Sequence, residues 1–169
     1  MINTSTTGQI KFYYKKDVLF NDVSLMSNYM CKNMATKDGN SLTDEYAISD
    51  DERDLVDVAL RSILPDIYEA MTKITNSVNG AFDDDEVIST DHCVSFTIQD
   101  NSAYNDNVLT IVDASLYNCL KYGTLKEVYA TIVNPDFFKI SAERFVAELF
   151  KLKQRLFQLK KKSVVSNLT

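Results

Sequence analysis

The sequence contains no tryptophan, one histidine, two prolines, four glycines and three cysteines. Each scarcity removes a class of answer. Glycine and proline supply the backbone geometries of tight turns, so a chain this poor in both is expected to spend its length on long helices. The cysteines, Cys31, Cys93 and Cys119, are odd in number and share no close spacing. That fits free thiols in a reducing compartment, and neither a disulfide framework nor a zinc site. The start, Met1 to Tyr14, is polar and threonine-rich and lacks the apolar stretch of a signal peptide. No run approaches the roughly 18 apolar residues of a membrane span.

Reactive chemistry is equally sparse. His92 stands between Asp91 and Cys93. Neighbours in a strand point to opposite faces, so His92 and Cys93 do not meet as base and nucleophile, and His92 reads as a surface or satisfied strand residue. There is no glycine-rich phosphate loop, no GxSxG and no HExxH. The acids at Asp83 to Glu86, and at Asp50, Asp51, Glu52 and Asp54, lack the alternate ligands, central glycine and twelfth-position glutamate of a calcium loop. No catalytic, metal-binding or cofactor-binding residue is assigned, and a non-enzymatic function is the expectation.

What is present is a domain's worth of ordinary composition, 45% hydrophobic and 25% charged, expected to form a single domain over 1–169. Nine Tyr and nine Phe suit packing and interfaces. The charge is uneven. Asp38 to Asp113 holds 18 acids against three bases (Arg53, Arg61, Lys73), a net of −15, whereas the first 37 residues carry +3 and Ala114 to Thr169 carry +6. An acidic middle between basic ends lets copies meet head to tail; equally, the opposed faces fold onto each other within one molecule.

The periodicity then places the elements. Ile10, Phe12 and Tyr14 alternate with polar partners, predicting a strand. Asp17 is expected to cap a helix to about Met34, with Leu19, Val23, Met26 and Met30 on one face, and residues 36–48 read as a loop. Ser49 and Glu52 form a capping box with three acids in the first turn, which complements the helix dipole. That helix is expected to reach about Val78, burying Leu55, Val56, Ala59, Ile63, Ile67, Ala70, Met71 and Ile74, with a kink or break at Pro65 and an end at Asn79-Gly80. Asp83 to Glu86 reads as a solvated turn, and Val94, Phe96 and Ile98 mark a second strand. A helix from about Asn105 reaches Tyr122, where Gly123 either ends it or bends it into Leu125 to Val133. Asn134-Pro135-Asp136 breaks the chain, and Ser141 is expected to cap the last helix. Its seam is Phe145, Leu149, Leu152, Leu156 and Leu159, which should pack on the domain's own helices.

The fold class is therefore mainly α with a small β element (α+β), a bundle of about four to five helices with a short antiparallel strand pair. Residues 1–16 form an N-terminal arm or strand, and 163–169 a frayed tail. The last helix also carries Lys151, Lys153, Arg155, Lys160, Lys161 and Lys162, with Phe150 and Phe157 interleaved. Phosphate binding needs such a stripe, but the chain is net negative and these Phe are placed on or beside the seam. A solvated face, or one that meets an acidic protein, is preferred over nucleic acid. A membrane surface is disfavoured for want of a bulky apolar face beyond the seam.

The order of these elements resembles a family. A capped acidic helix (DDERDLVDVALRSILPDIYEAMTKI) leads to a strand (VSFTI). A helix with a Tyr-rich end follows (VLTIVDASLYNCLKYGTLKEVY), then a Phe-containing break and a Leu-rich helix ending in bases (AERFVAELFKLKQRLFQLKKK). Residues 49–162 resemble small virion proteins of the head-to-tail connector, neck and tail region of tailed phages, particularly those of gut Bacteroides, crAss-like phages included. The stretch Lys121-Tyr-Gly-Thr-Leu departs from the aromatic-rich end expected there. The resemblance implies a virion structural subunit, made in the host cytoplasm, that closes a homo-oligomeric ring by heterologous contacts and binds portal or tail components. The interface candidates are Asp50, Asp51, Glu52 and Asp54 against Arg155, Lys160, Lys161 and Lys162. The alternative is a monomeric intracellular adaptor or regulatory domain that binds a protein or nucleic-acid partner.

Overall fold

Alternation of apolar and polar residues over Gln9–Lys15 and Cys93–Gln99 makes these segments strands, and they form the middle of a sheet. The computed structural model describes the backbone of residues 2–4, 9–34, 42, 46–73, 78–83, 93–99 and 106–165. Its elements are β1 (Ile2–Thr4), β2 (Gln9–Lys15), α1 (Lys16–Asn33), a 3-10 turn (Asp50–Glu52) running into α2 (Arg53–Thr72), β3 (Val78–Asp83), β4 (Cys93–Gln99), α3 (Asp106–Thr131) and α4 (Pro135–Val165). The fold is mainly helical with a small antiparallel β element, the class expected. The sheet is larger than a strand pair, with four strands in the order β1-β2-β4-β3.

The register sets Ile10 opposite Ile98, Phe12 opposite Phe96 and Tyr14 opposite Val94, so all six share one face, and all six are buried. Against them pack Ile63 and Ile67 of α2, Leu116 and Leu120 of α3, and Leu152 and Leu156 of α4. A second apolar cluster joins Phe20, Val23 and Cys31 of α1 to Val56 of α2, Tyr129 of α3 and Phe137 of α4. Thus α2 and α4 run parallel, their first halves in the second cluster and their later halves in the first, with α3 antiparallel to both. The seam Phe145, Leu152, Leu156 and Leu159 is buried, with Leu149 packed at its edge, inside the chain's own core.

Several local expectations change. Asp17 lies inside the first turn of α1 rather than capping it; Lys15 occupies the cap position without a side-chain bond. The buried face of α1 is Leu19, Phe20, Val23, Ser27 and Cys31, while Met26 and Met30 sit at the edge of the second cluster. Pro65 does not break α2, which runs unbroken from Arg53 to Thr72. One missing N–H on an exposed position costs less than splitting a helix that buries eight side chains. Asn79-Gly80 belongs to β3, where Gly80 faces Phe96 across the ladder: pairing along the open edge of β4 satisfies more backbone groups than a turn would. Ile74, the acids 84–86 and His92 lie outside the described residues.

Gly123 neither ends nor bends α3, which is continuous through it. A Cβ there would lie 2.8 Å from Ile63 Cδ1 and 2.9 Å from a Phe145 ring carbon. The glycine lets α2, α3 and α4 close together. The break at 134–136 is as expected, but the cap is Asn134, not Ser141. Asn134 Oδ1 accepts from the Phe137 N–H at 3.1 Å, with Pro135 at the first helical position. Ser141 is buried within α4, its hydroxyl without a hydrogen-bond partner among the described residues. The helical backbone runs on to Val165, past the point where the tail was expected to fray.

Candidate interaction surface

The acids expected at an interface begin α2. Ser49 Oγ accepts from the Asp51 N–H, and the Ser49 N–H donates to Glu52 Oε2 at 2.7 Å, completing the capping box. These bonds from Ser49 hold the Glu52 carboxyl below the usual carboxylate range. Arg53 bonds Asp17 and Asp50 and stacks 4.1 Å over the Phe20 ring, and Lys16 pairs with Asp57 at 3.0 Å. Part of the acidity therefore fastens α1 to α2. Asp51 and Asp54 stay exposed.

The basic candidates divide differently. Arg155 turns back onto α3, where it donates to the Ile111 carbonyl at 3.1 Å and to Ser115 Oγ; it clamps two helices. Lys151 pairs with Glu148 at 2.7 Å. The side chains of Lys160, Lys161 and Lys162 lie outside the described residues. The acidic turn and the basic end of α4 are set apart within one molecule. With α2 parallel to α4 they sit at opposite ends of the pair, and α2 alone spans about 30 Å.

The outer face of α4 corrects the sequence reading. Phe150 and Phe157 are not on the seam but 61% and 56% exposed, with Val146 at 64%. They follow one another at spacings of four and seven, one residue out of phase with the buried leucines. Helix α4 does have a bulky apolar face beyond its seam. The signal was in the sequence, since two heptad-spaced stripes overlap between Phe145 and Leu159, but the stronger hid the weaker.

A groove of about 720 Å³ between α1 and the α3–α4 pair was not anticipated. Leu25, Met26, Tyr29, Met30 and Ile140 line it, with Asp22, Lys121 and Arg144 among its polar groups. Asp22 accepts from the Tyr117 hydroxyl. Lys121 lies over the Tyr117 and Tyr122 rings, and Arg144 stacks on Tyr122.

Cys31, Cys93 and Cys119 are buried free thiols. Burial pushes Cys119 up to about 12 and raises Cys31, so both stay protonated thiols near neutral pH. Burial, then Asp113, raises Tyr14, whose hydroxyl donates to Asp113 Oδ1 at 2.8 Å. Among the described residues no group of His, Cys, Asp and Glu is placed to hold a metal ion, and no helix is long and apolar enough to cross a membrane. No protein-family model matches the chain, and neither the curated proteins nor the solved structures provide a match.

Proposed function

We propose that the chain is a non-enzymatic structural subunit of a phage virion, at the connector between portal and tail, which forms a multi-copy ring and binds neighbouring virion proteins. The observation that carries this reading is the placement of opposite charge at opposite ends of the parallel α2–α4 pair. Molecules so polarised attract head to tail, and a heterologous contact repeated around an axis closes into a ring. The exposed apolar stripe on α4 supplies the non-polar part that such a contact needs.

Light scattering on the purified chain, alone and mixed with the products of neighbouring genes, tests this together with mass spectrometry of purified virions. The expected result is a defined multimer that weakens with salt, and the chain present in particles. A monomer in every mixture, absent from virions, overturns the reading. Exchanging Lys160, Lys161 and Lys162 for Glu should reduce assembly at low salt; unchanged assembly counts against the charge pairing.

The groove on α1 favours a second reading, a monomeric adaptor. Methionines beside an apolar trough adapt to varied partner side chains, and Lys121 and Arg144 would favour an acidic segment. The same size measurement separates the two.

A further inference from the structure

We propose that the groove between α1 and the α3–α4 pair receives the acidic start of α2 from a neighbouring copy, with Asp51 and Asp54 against Lys121 and Arg144, and Val58 against Leu25 and Tyr29. The inference rests on the ring reading above and gives the acidic turn a partner at contact distance.

The groove has the shape and chemistry to take a helix. Its wall on α1 is the stripe Asp22, Leu25, Met26, Tyr29, Met30 and Asn33. Spacings of three and one alternate along it, so it follows one side of the helix for about 17 Å at 1.5 Å per residue. Leu25 is 70% and Tyr29 66% exposed, an apolar wall open to water. Across the trough stand Lys121 of α3 and Arg144 of α4. Among the described residues neither has a carboxylate partner. Lys121 lies over the Tyr117 and Tyr122 rings, and Arg144 stacks on Tyr122 and donates to its hydroxyl at 3.1 Å. The rings hold both cations at the groove and leave their charge unneutralised. The acid in the wall, Asp22, is engaged by the Tyr117 hydroxyl. An apolar trough flanked by two such cations selects an amphipathic helix with an acidic edge.

The start of α2 has that edge. Asp54 and Val58 lie one turn apart on the side of α2 away from its buried residues Val56, Ala59, Leu60 and Ile63. Asp51 precedes them in the 3-10 turn. All three are exposed, Val58 to 63%. Arg53 and Asp57, by contrast, are spent on α1. Charge excludes the other exposed apolar stripe as the occupant. Val146, Phe150 and Phe157 of α4 run beside Lys151, Lys153 and Arg155, which Lys121 and Arg144 repel.

The contact joins different molecules. Asn21, Ser24 and Asn28 of α1 line a polar cleft together with residues 47–52, and the Ser24 hydroxyl donates to the Ile48 carbonyl at 2.6 Å. The acidic turn therefore lies on the Ser24 flank of α1. Tyr29 is about 140° round the helix from Ser24, so the groove opens on the other flank. One flank presents acids and the other receives them. A contact between two different patches is heterologous, and it leaves a free patch of each kind until a ring closes. A single patch of this size buries less than the roughly 1,000 Å² of a stable interface. Pairwise association should be weak, and closure, which gives every copy two contacts, should supply the rest.

The test is charge reversal in the full chain, read by light scattering at low salt with a thermal melt as the folding control. D51K/D54K and K121E/R144E should each associate about tenfold more weakly than the parent. The combined variant D51K/D54K/K121E/R144E again sets opposite charges together at every contact and should recover the parent's assembly. Leu25→Asp changes an exposed position, so it should melt as the parent does and associate more weakly. A multimeric parent that none of these changes weakens overturns this contact and leaves the ring reading standing. Two pairs that each weaken assembly, with no recovery in the folded combined variant, also overturn it, because the two patches then do not meet. A parent that grows into filaments keeps the contact and overturns the ring. A parent that stays monomeric at every concentration overturns both, and its binding of a synthetic helical peptide of Glu and Leu, lost in K121E/R144E, would assign the groove to an adaptor.

Discussion

The two apolar clusters are built on different principles. The sheet-side cluster is mostly apolar: Phe12, Phe96, Ile98, Leu116, Leu120 and Leu152 pack together, and its polar groups, such as the Tyr14 hydroxyl bonded to Asp113, are few. The cluster under α1 is threaded by a polar chain. Tyr129 donates to Ser27 Oγ at 2.8 Å, Ser27 also accepts from the Ile48 N–H at 2.9 Å, and its hydroxyl reaches the Tyr46 carbonyl at 3.3 Å. The first cluster holds secondary structure together mainly by burial. The second uses one small hydroxyl to pin residues 46–48, the segment that leads into the capping box, between α1 and α3. The apolar core tolerates loss of side-chain volume poorly; the threaded one turns on the bonds that meet at Ser27.

Cutting the apolar core should cost most. Phe96→Ala removes a fully buried ring from the central strand and should destabilise the fold by about 3–5 kcal/mol, read as a loss of denaturation midpoint. Ser27→Ala probes the threaded core: it orphans the buried Ile48 N–H, at about 1–3 kcal/mol, and leaves the Tyr129 hydroxyl only its longer bond to the Tyr46 carbonyl at 3.5 Å. It should also raise hydrogen exchange at Ile48 while leaving β4 protected. Equal deprotection of both clusters would show that the junction is not local.

Smaller effects sharpen the contrast at the corner and the cap. Val133 has φ 56° at the end of α3, where the Asn134 N–H reaches back to the Tyr129 carbonyl at 3.0 Å. That is the position where helices favour glycine, and a β-branched residue there is strained. Val133 is 79% exposed, so Val133→Gly should stabilise by about 1 kcal/mol, seen as a raised Tm. Ser49→Ala should cost about 0.5–1 kcal/mol through the lost cap. Because the Glu52 carboxyl is depressed by Ser49, its contribution is present above the unfolded pKa and lost as pH falls through the folded one. The gap between parent and Ser49→Ala should therefore narrow on acidification; a constant gap would detach Glu52 from the cap.

The same contrast explains what the sequence made legible. Strands β2 and β4 and the leucine seam of α4 declare themselves because an apolar core imposes strict periodicity on its residues. The capping box is legible because its chemistry is local. Gly123 was not, since its role is set by Ile63 and Phe145, which lie far from it in sequence. Asn79-Gly80 has the local chemistry of a stop, and a free strand edge overrode it. The role of Ser27 was not legible either, because its partners at 46, 48 and 129 are distant in sequence. On the candidate surface, Asp51 and Asp54 were legible as exposed acids. The outward turn of Phe150 and Phe157 was not, because a helix with two overlapping apolar stripes does not announce which one it buries.

The pairing of β2 with β4 has a consequence for how the chain is made. Besides the short β1, Ile10, Phe12 and Tyr14 pair with Ile98, Phe96 and Val94, which follow much later in the chain. During translation β2 leaves the ribosome well before β4, and the two-stranded ribbon it makes with the short β1 does not hold by itself. The sheet therefore closes late, after β4 has emerged. The α3–α4 hairpin, whose contacts are local, is free to form as soon as it is synthesised.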